Sequence, residues 1–294
     1  MNYQWYPGHM TKAKRMMEEN IKLIDLVIEI VDARIPISSR NPDIDSLAVN
    51  KARIILLNKS DLADDKITNQ WINYFNENNI YCLKLNSRNN SGIKQVNGLI
   101  MTACADKIER NKQRGILNRP IRAMVVGIPN VGKSTFINSY AGKASAKTGN
   151  KPGVTKGKQW IKLNKNVELL DTPGILWPKF DNQEVGKRLA MIGSMNDEIL
   201  NVEELAIDTI KYIYSEYSDN VIERYALDKE KTAASYDENA INPDNSVALY
   251  IMEQAAVKRG CIKKGNNIDY EKISNIILDD FRSGRLGRIS LETP

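Results

Sequence analysis

The segment Gly127-Ile128-Pro129-Asn130-Val131-Gly132-Lys133-Ser134 constrains this chain more than any other. It meets the pattern G-x-x-x-x-G-K-[ST] at every fixed position. An apolar run at 121–126 precedes it, and a helical stretch at 134–140 follows. Strand, glycine-bounded loop and helix in that order form an anion cradle. The glycines let backbone N–H groups wrap phosphates, and the helix N-terminus adds partial positive charge. Lys133 is expected to reach β- and γ-phosphates, and the Ser134 hydroxyl to bind Mg²⁺. Asn130, Val131, Gly132 and Thr135 complete the expected cradle. The bland alternative is a chance match in a glycine turn, which would not bring the flanking strand and helix.

Strand-length apolar runs recur at 26–31, 53–57, 80–85, 121–127, 159–163 and 167–170. Helical stretches at 66–79, 92–110 and 133–142 separate several of them. A further helix is expected at 11–24, with Ala13, Met16, Met17, Ile21 and Ile24 on one face and Thr11 as N-cap. Strand alternating with helix predicts a mostly parallel sheet with helices on both faces. After Asp181 the pattern changes: 184–218, 245–259 and 269–282 read as helical and no strand run follows. Pro173, Gly174, Pro178 and Gly186 cluster at the change. The expected organisation is an α/β P-loop domain over 1–182 and a smaller all-α domain over 183–294.

Two further motifs narrow the ligand. Asp171-Thr172-Pro173-Gly174 ends the run at 167–170. There Asp171 could hold Mg²⁺ through water and the Gly174 N–H could sense a γ-phosphate. Thr155, in the Gly- and Lys-rich loop between, could complete the Mg²⁺ shell. As isolated residues all three are ordinary turn residues. Asn58-Lys59-Ser60-Asp61 follows the run at 53–57. An ionised Asp61 accepts only, which suits the ring N–H and exocyclic amine of guanine; adenine offers no such donor pair. The Asn58 amide can meet the guanine ring, and the Lys59 stem can lie along its face. Asn86-Ser87-Arg88, ending the next run, would add backbone contacts to the guanine oxygen. Together with the P-loop, this makes GTP the expected nucleotide rather than ATP. The base-recognition segments precede the P-loop, an inverted order that a parallel sheet tolerates because site geometry depends on where strand ends lie.

Composition sets limits rather than identity. At 294 residues, 42% hydrophobic and 27% charged, the chain is an ordinary globular protein of two-domain size. No apolar run approaches the ~18–20 residues of a membrane span, and residues 1–15 lack a signal-peptide core, so a cytoplasmic protein is expected. Cys82, Cys104 and Cys261 are far apart and odd in number, which favours structural thiols over disulfides or a zinc site. Residues 1–200 carry 30 Lys and Arg against 19 Asp and Glu, while 201–294 carry 12 against 17. The basic excess is densest from Lys143 to Lys165, where seven lysines meet no acid. It implies a polyanionic partner or a solvated lysine surface. The second domain still holds two basic clusters, Lys258, Arg259, Lys263 and Lys264, and Arg282, Arg285 and Arg288. Either could grip RNA phosphates. Lys187 and Arg188 are also candidates.

The inverted motif order, the opening Trp5-Tyr6-Pro7-Gly8-His9-Met10, Asp32-Ala33-Arg34 and Asp171-Thr172-Pro173-Gly174-Ile175-Leu176-Trp177-Pro178 resemble the circularly permuted GTPases of the YlqF/RbgA ribosome-biogenesis family. The tail from Asp280 to Arg288 shares the likeness, which covers nearly the whole chain. It implies a circularly permuted P-loop GTPase domain followed by an RNA-binding helical domain. It further implies GTP-to-GDP hydrolysis, a late step in assembly of the large ribosomal subunit, and rRNA as partner. A monomer in solution is expected. Ile175 stands where many GTPases place a water-orienting Gln, and Ile cannot hydrogen-bond water. The resemblance points to His9, the sole histidine, as the replacement; its ordinary pKa near 6.5 suits that task. The expected catalytic set is thus His9, Lys133, Thr155 and Gly174. Asn130 resembles the Asn through which some relatives bind K⁺ beside the phosphates. A rival reading stays open: an RNA-binding assembly factor in which GTP only gates binding.

Overall fold

A computed structural model describes residues 10–117, 119–142, 159–162, 166–171 and 182–294. These residues divide into two compact units. The first holds the described residues up to Asn182 and takes back the last three, Glu292–Pro294; the second is Gln183–Leu291.

The first unit is built on β1 (Leu26–Asp32), β2 (Ala52–Asn58), β3 (Tyr81–Lys84), β4 (Ile121–Val126), β5 (Gln159–Lys162) and β6 (Val167–Asp171). They form one sheet in the order β3-β2-β1-β4-β6-β5. Every neighbouring pair is parallel except β5 with β6. Parallel strands end at the same sheet edge. The chain leaving Asp32, Asn58, Lys84 and Val126 therefore emerges at that one edge, wherever each strand falls in the chain.

β1 is buried along its whole length, which is why its sequence, Leu-Val-Ile-Glu-Ile-Val-Asp, is almost continuously apolar rather than alternating. The helices of this unit are α1 (Met10–Ile21), α2 (Asp43–Leu47), α3 (Asp65–Glu77), α4 (Ile93–Ala103), α5 (Ala105–Gln113) and α6 (Lys133–Ala141). Asp64 starts α3 by accepting from the Ile67 N–H at 3.1 Å. That places Trp71 and Phe75 on one stripe against Val31, Ile55, Leu57 and Cys82. The alternate residues Ile28, Ile30, Ile54 and Leu56 are also fully buried, so both sheet faces are covered. Glu29, in the middle of β1, is buried and is gripped by Arg40 at 2.7 Å and Arg53 at 3.0 Å.

Three details depart from sequence expectation. The first helix starts at Met10, so Thr11 lies inside it rather than capping it. The stretch at 92–110 breaks at Cys104, which leaves helical geometry and separates α4 from α5. The short α2 has no sequence signal beyond its acids.

The second unit contains α7 (Gln183–Met191), α8 (Val202–Glu216), α9 (Ser218–Tyr225), α10 (Lys229–Ala233), α11 (Ser246–Arg259) and α12 (Tyr270–Arg282). Among its described residues there is no strand, only an isolated bridge between Ile262 and Ile268. The expected continuous helix over 184–218 is interrupted because Gly193 takes a left-handed φ of 77° and Asn201 caps a fresh start at α8. α8 packs on α11 and α12, and Leu205, Ile210, Ile213, Ile251, Ile277 and Phe281 on these helices are buried. Asp280 is buried here. It accepts a two-pronged contact from Arg224, at 2.8 Å for each prong, and further bonds from Arg285 and the Tyr225 hydroxyl. The three cysteines are free and buried, as their spacing suggested.

Candidate nucleotide site

The P-loop leaves β4 at the middle of the sheet, between β1 and β6. Its first glycine has no alternative: a Cβ on Gly127 would lie 2.5 Å from the Ile30 carbonyl oxygen. Asn130 and Gly132 both take left-handed φ, 63° and 93°. Gly132 then sits as the residue before α6 and, having no side chain, cannot itself cap the first turn. The N–H groups there point along the helix axis, the arrangement that receives phosphate oxygens. Lys133 is the first residue of α6 and is buried, with Ser134 and Thr135 half-buried behind it. A glycine-bounded cradle with no room for a side chain at Gly127 or Gly132 fits a di- or triphosphate.

β2 and β3 bring the other expected residues to the same edge. Asn58 ends β2 and is buried. Its amide nitrogen donates to the Val131 carbonyl at 2.7 Å, inside the P-loop. Its amide oxygen accepts from the Ser87 N–H at 3.0 Å and the Ser87 hydroxyl at 2.9 Å, in the loop after β3. One side chain therefore ties three loops that lie far apart in sequence. A Cβ on Gly132 would strike this amide at 2.4 Å, so the glycine is needed as much for Asn58 as for phosphate. Ser139 of α6 adds a second tie, donating to the Ser87 carbonyl at 2.6 Å.

Asn86, also buried, folds its own loop. Its side-chain oxygen accepts from the Arg88 N–H at 2.9 Å, an Asx-turn. The Ser87 and Arg88 N–H groups, expected to meet a guanine oxygen, are thus engaged by Asn58 and Asn86 here. Asp61 is exposed and makes no hydrogen bond or ion pair with a described residue, which leaves its carboxylate available as an acceptor. Lys59 takes a left-handed φ of 57°, and its ammonium lies 2.9 Å from a carboxylate oxygen of Asp32.

Sequence reasoning missed that last contact. Asp32 is fully buried and also accepts from Arg34 through Nε and Nη2, each at 2.9 Å. Burial by itself raises its carboxyl pKa. The charges of Arg34 and Lys59 outweigh that and hold it well below the usual carboxylate range. An acid at the end of a buried strand, two residues before an arginine, was the available signal.

His9, Thr155 and Gly174 lie outside the described residues, as do the lysines from 143 to 158. Asp171 is described as the last residue of β6, its backbone paired with Val125; its side chain is not described. Of the tail arginines, Arg282 donates to Asp197 at 2.6 Å and to the Ala190 and Met191 carbonyls at the end of α7. Arg285 is paired with Asp279 and Asp280. Arg288 and Lys264 are exposed and pair with no described residue. No helix among the described residues is long and apolar enough to cross a membrane.

A family model described as 50S ribosome-binding GTPase matches residues 122–236. Ribosome biogenesis GTPase A of Bacillus cereus is 46% identical over 294 residues, covering all of this chain and 95% of that protein. The chain belongs to the ribosome biogenesis GTPase A family. A Thermotoga maritima member is 31% identical over 290 residues, covering 99% of this chain and 94% of that protein. A solved structure of GDP-bound TM YlqF superposes with a TM-score of 0.65 at 25% identity, covering 95% of this chain and 99% of that one. The T. maritima YlqF bound to GNP gives 0.61 at 26% identity, covering 96% and 98%. The chain is therefore a GTPase. In this family member the strands β2 and β3 precede the P-loop strand, which is the permuted order read from the sequence.

Proposed function

We propose that this chain is a GTP-driven switch that binds the maturing, rRNA-rich large ribosomal subunit and promotes a late assembly step, with hydrolysis stimulated by that particle. The observation that carries the reading is the Asn58 bridge. It joins the segment read as guanine-selecting to the phosphate loop, within a chain related end to end to ribosome biogenesis GTPases.

In this reading Asn58, Lys59 and Asp61 select guanine. Asn86, Ser87 and Arg88 frame the base. Asn130, Val131, Gly132, Lys133, Ser134 and Thr135 hold the phosphates. Mg²⁺, when bound, neutralises charge on the β- and γ-phosphates, and the residues offered to it are Ser134, Thr155 and, through water, Asp171. Lys133 places a positive charge where the leaving β-phosphate gains negative charge. Gly174 senses the γ-phosphate through its N–H. Because Ile175 cannot orient water, His9 takes that task on the particle. Asn130 offers an oxygen to K⁺, which would raise the rate in KCl above that in NaCl. Equal rates in the two salts would remove K⁺.

RNA contact falls to basic residues not consumed internally. Arg288 and Lys264 qualify, whereas Arg282 and Arg285 serve the fold of the second unit.

The test is GTP turnover with and without purified large subunits, with ATP as control. Strong stimulation, confined to GTP, supports the switch, and His9→Ala should then abolish the stimulation while GTP affinity stays intact. GTP-dependent subunit binding without stimulation would instead favour a binding factor gated by GTP. Absence of both would refute the large subunit as partner.

A further inference from the structure

The Asp32 carboxylate sits where two parts of the base-reading apparatus meet. β1 and β2 run in register with Asp32 beside Asn58, so the ends of the two strands are level. The Ala33 N–H donates to the Asn58 carbonyl at 2.9 Å and locks that level in place. From there Arg34 closes on both oxygens of Asp32, and Lys59 closes on one of them from the opposite loop. A buried acid with two cations has no other charge state open to it near neutral pH. Asp32 is ionised, and Lys59 is held by it.

Lys59 needs such a hold. Its backbone is in the left-handed region, which an L-residue other than Gly, Asn or Asp adopts reluctantly. Its side chain carries the most rotamer freedom of any residue in Asn58-Lys59-Ser60-Asp61. The following turn hangs from it: the Leu62 N–H donates to the Lys59 carbonyl at 2.9 Å, and Ser60 is pinned to the Leu85 carbonyl at 3.2 Å. That turn presents the exposed Asp61. Fixing the Lys59 ammonium on Asp32 therefore fixes two things together. It sets the path of the Lys59 stem and the direction in which Asp61 projects.

We propose that Asp32 is a positioning residue for guanine selection, which presets the Lys59–Asp61 turn through its buried contact with the Lys59 ammonium. The proposal rests on the reading of Asn58–Asp61 as the guanine-selecting segment. Asp32 itself touches no nucleotide. It spares the bound state the freezing of one lysine side chain and one strained turn, a saving of about tenfold in affinity. Arg34 takes part by keeping Asp32 charged, so the pair Asp32–Arg34 acts as one fixed anionic socket for Lys59.

The experiment measures affinity for fluorescently labelled GDP, with unlabelled GDP, IDP and ADP as competitors. The proteins are full-length wild type, Asp32→Asn, Lys59→Met, their double variant and Asp61→Ala. IDP lacks the exocyclic amine, so the GDP-to-IDP ratio reads the carboxylate–amine contact. Asp32→Asn and Lys59→Met are each expected to weaken GDP about tenfold, and the double variant no further than either alone, because both cut one link. Asp32→Asn is also expected to shrink the GDP-to-IDP ratio, which a loss of fold stability would not do. Wild-type GDP affinity in Asp32→Asn, or single effects that multiply in the double variant, would overturn the proposal. If Asp32→Asn does not fold, Lys59→Met decides, since it leaves the Asp32–Arg34 pair intact; wild-type affinity and ratio there overturn the proposal. An unchanged GDP-to-IDP ratio in Asp61→Ala would refute the guanine-selecting reading itself. A ratio lost in Asp61→Ala but kept in both other variants would refute only the role of Asp32.

Discussion

Replacing Asn58 by Ala tests its scaffold role, because its amide joins the Val131 carbonyl to the Ser87 N–H. The change strands the Val131 carbonyl and the Ser87 N–H, both in buried residues. It also removes the Ser87 hydroxyl's partner, although that hydroxyl can turn elsewhere. At about 1–3 kcal/mol for each buried group left unpaired, the two backbone groups together cost about 3–4 kcal/mol. For a unit of this size about 2–4 °C is lost per kcal/mol, so the melting temperature should fall by about 10 °C. The assay is thermal unfolding without nucleotide, followed by tryptophan fluorescence. The second unit, Gln183–Leu291, contains no tryptophan, so the signal does not follow its unfolding. Asn58→Asp should not rescue: it keeps an acceptor for Ser87 but turns an oxygen toward the Val131 carbonyl. A nucleotide-free melting temperature within about 2 °C of wild type, alongside weakened GDP, would refute the reasoning. It would mean that Asn58 does not hold the loops together and acts through the base alone.

Three further outcomes follow from buried groups. Asp280 is pushed up by burial but pulled down more by Arg224 and Arg285, so its folded pKa lies below the ordinary value of about 3.9. Its stabilising contribution is present above that ordinary value and is lost as pH falls through the lowered one. Asp280→Asn should therefore be less stable than wild type at pH 7, and the gap should close below about pH 4, in urea titrations followed by circular dichroism. Burial pushes the Cys82 and Cys104 thiols up to about 12, so a thiol reagent at pH 8 should label neither in the folded protein and both after denaturation. Rapid labelling of the native chain would contradict their burial. Glu292→Ala removes the carboxylate that accepts from the Ile37 and Ser38 N–H groups, and should cost about 2–3 kcal/mol in the same tryptophan-detected unfolding. An unchanged tryptophan-detected midpoint would show that Glu292 does not hold the first unit.

Much of the fold was legible because its signals are local. The apolar runs for β1, β2, β4 and β6 are dictated by burial on both faces, and a run of that kind survives in sequence whatever its neighbours are. The P-loop is legible for a related reason: Gly127 and Gly132 meet steric limits that no other residue satisfies. Where the reading slipped, at the break near Cys104 and the divided helix over 184–218, the deciding residues sit within a helical pattern that propensity does not resolve. Gly193 ends one helix by its left-handed conformation, and Asn201 begins the next with a single hydrogen bond.

The sequence alone determined the motifs: a G-x-x-x-x-G-K-[ST] segment, the segment Asn58–Asp61 read as guanine-selecting, and their inverted order. These reside in short contiguous motifs whose backbone geometry is local. Only the tertiary structure decided what joins them. Asn58 reaches Val131 across 73 positions and Ser87 across 29, and Asp32 meets Lys59 because β1 and β2 end level in a parallel sheet. It also decided that Arg282 and Arg285, two of three regularly spaced arginines, are spent on Asp197, Asp279 and Asp280. A charge in sequence shows only its sign. Whether it is free for a partner depends on which opposite charges the fold brings within reach.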